Sequence, residues 1–90
     1  MALPLGKVYG TMGALGAFAG ALDEDLNGYI SRHANGDWGD LEENDRKANE
    51  HAVKHGLRVL SANTLSSGQK IWVITEADRS MTTILLPEEY

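Results

Sequence analysis

The chain has no cysteine and few basic residues, and both shortages limit what it can do. Without cysteine, its 90 residues can form neither a disulfide bond nor a thiolate zinc site. It carries 8 Lys and Arg residues against 13 Asp and Glu residues, for a net charge of -5 at pH 7. That charge opposes direct binding to nucleic acid and favours a basic protein surface as partner. A cysteine-free chain suits a reducing cytoplasm, where we expect the protein.

Long hydrophobic runs are also missing. The longest apolar stretch, Val8 to Leu22, is shorter than the ~20 residues that a membrane-spanning helix needs. Lys7 before this stretch gives it the outline of a secretory signal, but its glycines lower helix propensity and hydrophobicity. We therefore expect no signal peptide and no membrane partner. The spacing of Gly16 and Gly20 indicates a tightly packed core helix instead.

Periodicity and capping residues predict a helical first half. Residues 7 to 10 form a short strand, Thr11 caps a helix over residues 12 to 21, and Asp23 caps a second that ends at Gly36. A third helix follows to about His55, with Gly56 as its left-handed stop. In the first helix, four residues share the face that we expect to be buried: Leu15, Phe18, Ala19 and Leu22.

The second half changes to the two-residue period of strands. Leu57 to Leu65, Lys70 to Thr75 and Met81 to Leu86 are rich in β-branched and apolar residues. Their short polar links suit antiparallel neighbours. The sequence therefore predicts one α+β domain, residues 1 to 90, with two to three N-terminal helices (about 11 to 55) packed on a three- or four-stranded antiparallel sheet (about 57 to 86).

Two stretches stand out as motifs. They are His33-Ala34-Asn35-Gly36-Asp37-Trp38-Gly39-Asp40 and Ile71-Trp72-Val73-Ile74-Thr75-Glu76-Ala77-Asp78-Arg79-Ser80, the second followed by the ending Thr82-Thr83-Ile84-Leu85-Leu86-Pro87-Glu88-Glu89-Tyr90. Over about residues 30 to 90 the chain resembles a family of short uncharacterised proteins of bacterial plasmids and prophages. The resemblance implies an accessory protein of a mobile element, and it brings no established reaction.

Two groups of residues could carry chemistry. His51 and His55 have metal-ligand spacing on a helix, but the zinc-protease glutamate is missing between them, and a third ligand would have to be His33 or a distant acid. Two solvated histidines are the favoured interpretation, so we expect no metal and no cofactor. In the alternative catalytic hypothesis, His33, Glu76 and Arg79 form the acid, base and phosphate clamp of a small metal-independent ribonuclease or toxin.

The acidic residues themselves provide the favoured function. Eight of them could imitate a row of phosphates: Asp23, Glu24, Asp25, Asp37, Asp40, Glu42, Glu43 and Asp45. We expect a non-catalytic protein that binds and inhibits a nucleic-acid-binding host defence nuclease, as anti-CRISPR and anti-restriction proteins do. The predicted contact surface consists of Asp37, Trp38, Asp40, Glu42, Glu43, Glu76, Asp78 and Arg79. Trp38 either anchors this surface or plugs the core, and a structural or regulatory homodimer is the remaining alternative.

Overall fold

The computed structural model describes residues 2–90 and shows three α-helices and a four-stranded sheet in that part of the chain. The elements are β1 (Lys7–Gly10), α1 (Met12–Ala19), α2 (Leu26–Ala34), α3 (Glu43–His55), β2 (Val59–Thr64), β3 (Lys70–Thr75), β4 (Met81–Leu85) and a final 3₁₀ turn (Pro87–Glu89). The predicted α+β class is confirmed. No helix within residues 2–90 is long and apolar enough to cross a membrane.

The helices begin and end at capping residues. The Thr11 hydroxyl accepts a hydrogen bond from the Ala14 N–H at 3.1 Å and so caps α1, as predicted. The cap of α2 is Asp25 and not Asp23, because it is the Asp25 carboxylate that accepts the Asn27 N–H. Gly56 ends α3 in the left-handed conformation, with φ 66°.

The sheet is mixed, with the strand order β1-β4-β3-β2. Strands β2, β3 and β4 are antiparallel neighbours joined by short turns, as predicted. Strand β1, however, pairs with β4 in parallel, with Lys7 opposite Met81. A parallel pair needs a long crossover, and the whole chain from α1 to β3 provides it. The purely antiparallel sheet of the prediction is wrong in this detail, because local periodicity does not show which distant strand a segment joins.

One face of the sheet carries the core. Ile71, Val73 and Ile84 lie on that face and contact α1 and α2 through Ala14 and Ile30. A second cluster, beside α3, combines four buried residues: Leu3, Trp38, Ala52 and Val59. The fold therefore buries its apolar residues in two adjoining groups, with α1 and α2 over one and α3 at the margin of the other.

Helix α1 buries a different face from the one predicted. Ala14 is fully buried and Phe18 packs on the core, whereas Leu15 is 49% exposed and Leu22, beyond the helix, is 95% exposed. Ala19 is exposed, and a side chain on Gly16 would meet nothing within 4 Å. The assignment of Leu15, Ala19 and Leu22 to the buried face, and of Gly16 to a tight contact, is wrong. Because α1 contains no polar residue, its pattern could not show which side faces the core.

The outer edge of β2 is closed by polar groups from two other segments. The Asn49 side-chain amide donates to the carbonyl of Leu60 and accepts its N–H at 3.2 Å. Two residues further along, Ala62 donates its N–H to the Trp38 carbonyl at 3.2 Å and accepts the Asp40 N–H at 2.6 Å. The outward-facing backbone groups of β2 at these two residues are thus paired, which blocks this edge as a template for another strand.

Candidate protein-binding surface

Trp38 belongs to the core and is not available to a partner. Its side chain is only 4% exposed, and its ring meets the His33 ring edge to face at a centroid distance of 5.7 Å. Of the two predicted roles of Trp38, the structure shows the one in the core. Trp38 is therefore not part of the contact surface. Its backbone carbonyl accepts a hydrogen bond at the edge of β2. The turn around Trp38 therefore places the ring in the core and also pairs with the strand.

The two aspartates of the same turn also have structural roles. Asp37 accepts the Gly39 N–H and the Arg32 Nε–H, each at 3.0 Å. These bonds, the Gly39 one first, hold the pKa of Asp37 below its usual value. Asp40 accepts the Thr64 hydroxyl at 2.8 Å, on the final residue of β2. Both carboxylates are exposed, but each already has partners in the fold.

The hairpin between β3 and β4 uses its charges in the same way. The Arg79 guanidinium donates to the carbonyls of Leu57, Ala52 and Glu76 at 2.6, 3.1 and 3.1 Å, which places it at the C-terminal end of α3. The Asp78 carboxylate accepts the N–H and hydroxyl of Ser80, and these bonds lower the pKa of Asp78. Arg79 is therefore a clamp on α3 and not a phosphate-binding side chain.

The predicted contact surface is divided in space. Glu42 and Glu43 lie at the N-terminal end of α3, whereas Arg79 binds the carbonyl of Ala52 near its C-terminal end. A helix of 13 residues is about 20 Å long. The acids of α3 and of the turn over residues 36–40, which we call the GDWGD turn, therefore form one group. The Glu76-Asp78-Arg79 hairpin forms another at the far end of the helix.

His33 is buried and cannot serve the ribonuclease hypothesis. Its side chain is 0% exposed, with Nδ1 2.8 Å from the Ser61 hydroxyl and Nε2 2.9 Å from the Thr75 hydroxyl. Burial lowers the pKa of His33 to about 4, so the imidazole is neutral at pH 7. The catalytic hypothesis of His33, Glu76 and Arg79 fails on this geometry, since the histidine is sealed in the core and the arginine clamps α3.

The hydrogen bonds around His33 also determine its tautomer. The Thr82 hydroxyl donates to the carbonyl of Leu5, so it must accept the Thr75 hydroxyl, 2.7 Å away. With its only proton used, the Thr75 hydroxyl must accept from His33 Nε2–H, which leaves Nδ1 to accept from Ser61. The result is a fully satisfied chain of polar groups that crosses β2, β3 and β4 on the core face.

The two helical histidines lie on the surface of α3. The His51 and His55 rings stack at a centroid distance of 4.1 Å, and both side chains are exposed. Within residues 2–90, no three His, Asp or Glu side chains come close enough together to hold a metal ion. His33, the candidate third ligand, is held in the core by Ser61 and Thr75.

The first three acids of the predicted row, Asp23, Glu24 and Asp25, also accept hydrogen bonds within the protein. Asp23 accepts the Ser66 hydroxyl, and Glu24 accepts the Ser66 N–H and the Tyr29 hydroxyl. The bonds to Glu24, first that of the Ser66 N–H and then that of Tyr29, lower the pKa of Glu24, and the bonds of Ser66 join the loop after α1 to the hairpin between β2 and β3. Together with the Asp25 cap of α2, they account for all three acids of this loop. Five of the eight acids in the predicted phosphate-like row thus have structural partners.

The remaining three acids lie together at the start of α3. The carboxylates of Glu42 and Asp45 have no hydrogen bond or ion pair within the described residues, and that of Glu43 makes only a loose, exposed contact with Lys47 at 3.7 Å. Asp45 lines a groove of about 300 Å³, which we call the α3 groove. Its lining residues are Leu41, Asp45, Ala48, Asn49, Leu60 and Trp72.

The α3 groove combines an apolar floor with one acidic residue, Asp45, in its lining. Leu60 and Trp72 come from neighbouring strands on the sheet face opposite the main core, and Leu41 and Ala48 come from the start of α3 and the residues before it. At the Trp72 end, the Tyr90 ring packs edge to face at 5.6 Å, and Arg58 lies 5.2 Å above the Tyr90 ring. A concave apolar surface with a few charges at its margin is typical of binding sites.

Only part of this groove could be found in the sequence. The contact-surface prediction contains Glu42 and Glu43, but it misses Trp72, Leu60 and Asn49, which it left to the core or did not consider. The available signal is Asn49, a polar residue three positions before Ala52 on the apolar stripe of α3. The strand residues carry no such signal, because their contact with α3 depends on the strand order.

No protein-family model, curated protein sequence or solved structure matches this chain. The resemblance to plasmid and prophage proteins therefore stays a prediction from two motifs. The first of these motifs has a physical explanation in the fold, because its turn plugs the core with Trp38 and closes the edge of β2.

Proposed function

We propose that the chain is a non-catalytic acidic accessory protein of a mobile element, which binds a basic nucleic-acid-binding host defence nuclease and inhibits it. The observation that carries the proposal is the position of Asp45 in the lining of the apolar α3 groove, with Glu42 and Glu43 close to it at the start of α3 and, like Asp45, without a close partner in the fold. A partner segment with one apolar anchor and flanking Lys or Arg side chains matches this surface in shape and charge.

Five of the eight acids have structural partners and three do not, and this difference reduces the set of acids that we expect at the interface. The other five acids of the predicted row are tied to Arg32, Tyr29, Thr64, Ser66 or the start of α2. Charge reversal at Asp37 and Asp40 would therefore disturb the turn as well as a contact. Glu42 and Glu43 are better test positions, because both side chains are exposed and neither accepts a hydrogen bond in the described part of the chain.

The first experiment is recovery of a partner from host extract. The double change Glu42→Gln and Glu43→Gln should weaken capture roughly tenfold at low salt, because charges at an interface rim act mainly on the association rate. The matched control is Glu50→Gln with Glu88→Gln, which removes the same charge from exposed positions outside the groove. Equal loss in both double variants would show a general charge effect and would contradict a specific site.

The second experiment blocks the groove itself. Ala48 is exposed and lines the groove, so Ala48→Arg fills it and adds a charge without entering the core. This variant should abolish protection of an unmodified phage or plasmid against a host defence system in cells. His51→Arg adds the same side chain to the exposed surface of α3, outside the groove and away from Glu43 and Asp45, and should protect as the wild type does. Recovery of no partner from extract, together with no protection by the wild type, would refute the inhibitor hypothesis.

A further inference from the structure

The strand β1 is an open edge of the sheet. The N–H groups of Lys7 and Thr11 donate to the carbonyls of Ser80 and Ile84 at 3.1 and 3.0 Å, so the odd-numbered residues of β1 face β4. In this parallel pairing, the N–H and C=O groups of Val8 and Gly10 point away from β4, outward from the edge of the sheet. Within residues 2–90, these groups have no backbone partner, and all four residues of β1 are exposed.

Exposed apolar side chains surround this edge on both faces of the sheet. Val8 is 46% exposed, and Leu15 of α1 sits directly above Gly10, with its Cδ2 2.9 Å from where a Cβ on that glycine would be. On the other face, Tyr9 is 49% exposed, next to Met81 at 36%. An edge strand of this kind, without charges at its centre, is a template for pairing with another strand.

The charge distribution favours a second copy of the same chain as the strand that pairs with β1. Lys7 is the only charged residue before Asp23, and all 13 acids follow Leu22. Two copies of a chain with net charge -5 repel each other over most of their surface. Residues 1–22, which include β1 and α1, contain no acidic residue, so two copies that meet through β1 bring together a part of the chain that carries little of that negative charge.

We propose that two copies associate through β1 in an antiparallel, two-fold symmetric pair centred on Tyr9. In this register Val8 lies opposite the partner copy's Gly10, and the two residue pairs form four backbone hydrogen bonds. Each Val8 side chain then fills the space over a glycine and contacts the Leu15 that covers it. The two Tyr9 rings become neighbours on the opposite face.

The same register brings opposite charges together at both ends of the paired strands. Lys7 lies opposite Thr11 of the partner copy, and the Thr11 hydroxyl donates to the Glu89 carboxylate at 2.6 Å. The Lys7 ammonium of each copy thus comes within reach of the Glu89 carboxylate of the other. This dimer does not depend on the proposed function, since the α3 groove lies beside β2, at the other edge of the sheet.

Cross-linking through an introduced cysteine tests the register, because the native chain has none. Residues opposite each other in a non-hydrogen-bonded antiparallel pair have Cβ atoms roughly 4.5 Å apart, close to disulfide geometry. The Tyr9→Cys variant should therefore form a covalent dimer on mild oxidation. The matched control is Val8→Cys, whose two thiols lie on a diagonal with Cα atoms roughly 7–8 Å apart and should stay reduced. Preferential cross-linking at position 8 would overturn the register.

Sedimentation equilibrium tests the association without any cysteine. The wild type should dimerise with concentration, and the Val8 and Gly10 amides should become protected from hydrogen exchange. Val8→Pro removes two of the four hydrogen bonds between copies and none to β4, so dimerisation should weaken about tenfold or more. Val8→Thr keeps the N–H and should dimerise. A wild type that stays monomeric, with no cross-link at position 9, would refute the proposal and leave the edge to a strand of another protein.

Discussion

The two edges of the sheet are treated in opposite ways. At β2, Asn49 and the turn from Trp38 to Asp40 pair the outward-facing groups of Leu60 and Ala62. At β1, the outward-facing groups of Val8 and Gly10 have no partner within residues 2–90. Edge strands need protection against unwanted pairing, and of these two only β2 has its outward-facing groups paired within the fold, whereas β1 has only its short length and Lys7 at its first position. The proposed pairing of two copies through β1 would give the open edge a use.

The closed edge also explains the composition of the GDWGD turn. Gly39 has φ 70°, and a Cβ there would collide with the Ala62 carbonyl oxygen. Only glycine can therefore lie against β2 at this point. The aspartates at positions 37 and 40 fix the turn on either side, and Trp38 anchors it in the core. The GDWGD motif, which the sequence analysis assigns to a contact surface, thus pairs with the outer edge of β2 and closes it.

The largest expected effect comes from opening the closed edge at Gly39. Gly39→Ala places a side chain where φ is positive and where the β2 backbone already lies, so the turn must move and its two hydrogen bonds to Ala62 are lost. We expect a loss of about 4 kcal/mol in the free energy of unfolding, measured in urea. Gly56→Ala has a similar φ of 66° with nothing within 4 Å and should cost about 1 kcal/mol. Equal costs would mean that the approach to β2 is unimportant.

Acid should weaken the same side of the sheet through His33, which joins β2 to β3 behind the closed edge. Its pKa is about 4 in the folded chain, against 6.5 in the reference state. The unfolded chain therefore binds the proton first, and stability that is complete above pH 6.5 falls as the pH drops through the folded pKa. The expected loss between pH 7 and pH 4 is about 3 kcal/mol, from urea unfolding at a series of pH values.

A comparison of variants isolates this contribution from the carboxylates that titrate at lower pH. His33→Gln should be less stable at pH 7 and should lose most of the slope between pH 7 and pH 4. His51→Gln should keep the slope of the wild type, because that imidazole is exposed on α3. If His33→Gln retains the full slope, the buried imidazole is not the group that senses the pH.

A smaller effect is expected at Asn49, the second residue that closes the edge of β2. Asn49→Ala leaves the N–H and C=O of Leu60 without their side-chain partner and should cost about 2 kcal/mol. It should also raise aggregation, followed by light scattering, because the edge of β2 becomes a template. Asn44→Ala, on the exposed side of the same helix, should stay within about 0.5 kcal/mol of the wild type. Similar aggregation in the two variants would show that Asn49 does not protect the edge.

The contrast between the edges also shows what local sequence could predict. Strands β2 to β4, the end of α3 at Gly56 and the α+β class followed from periodicity and capping, which act over a few residues. Periodicity and capping did not predict three features: the parallel partner of β1, the buried partners of His33 and the floor of the α3 groove. Each joins segments far apart in the chain, such as His33 and Thr75 or Ala48 and Trp72. No local pattern records those contacts.

The smallest expected effect is at the open edge, and it completes the contrast. Val8→Pro removes an N–H that points away from β4, and edge strands accept proline at such positions. At a concentration where sedimentation shows single chains, it should change the free energy of unfolding by less than about 1 kcal/mol. The wild type should melt at higher temperature as its concentration rises, since a partner stabilises the folded state by mass action, and Val8→Pro should lose that dependence. A large loss in the single chain would mean that β1 needs the Val8 N–H for its own fold, and that its edge is not open.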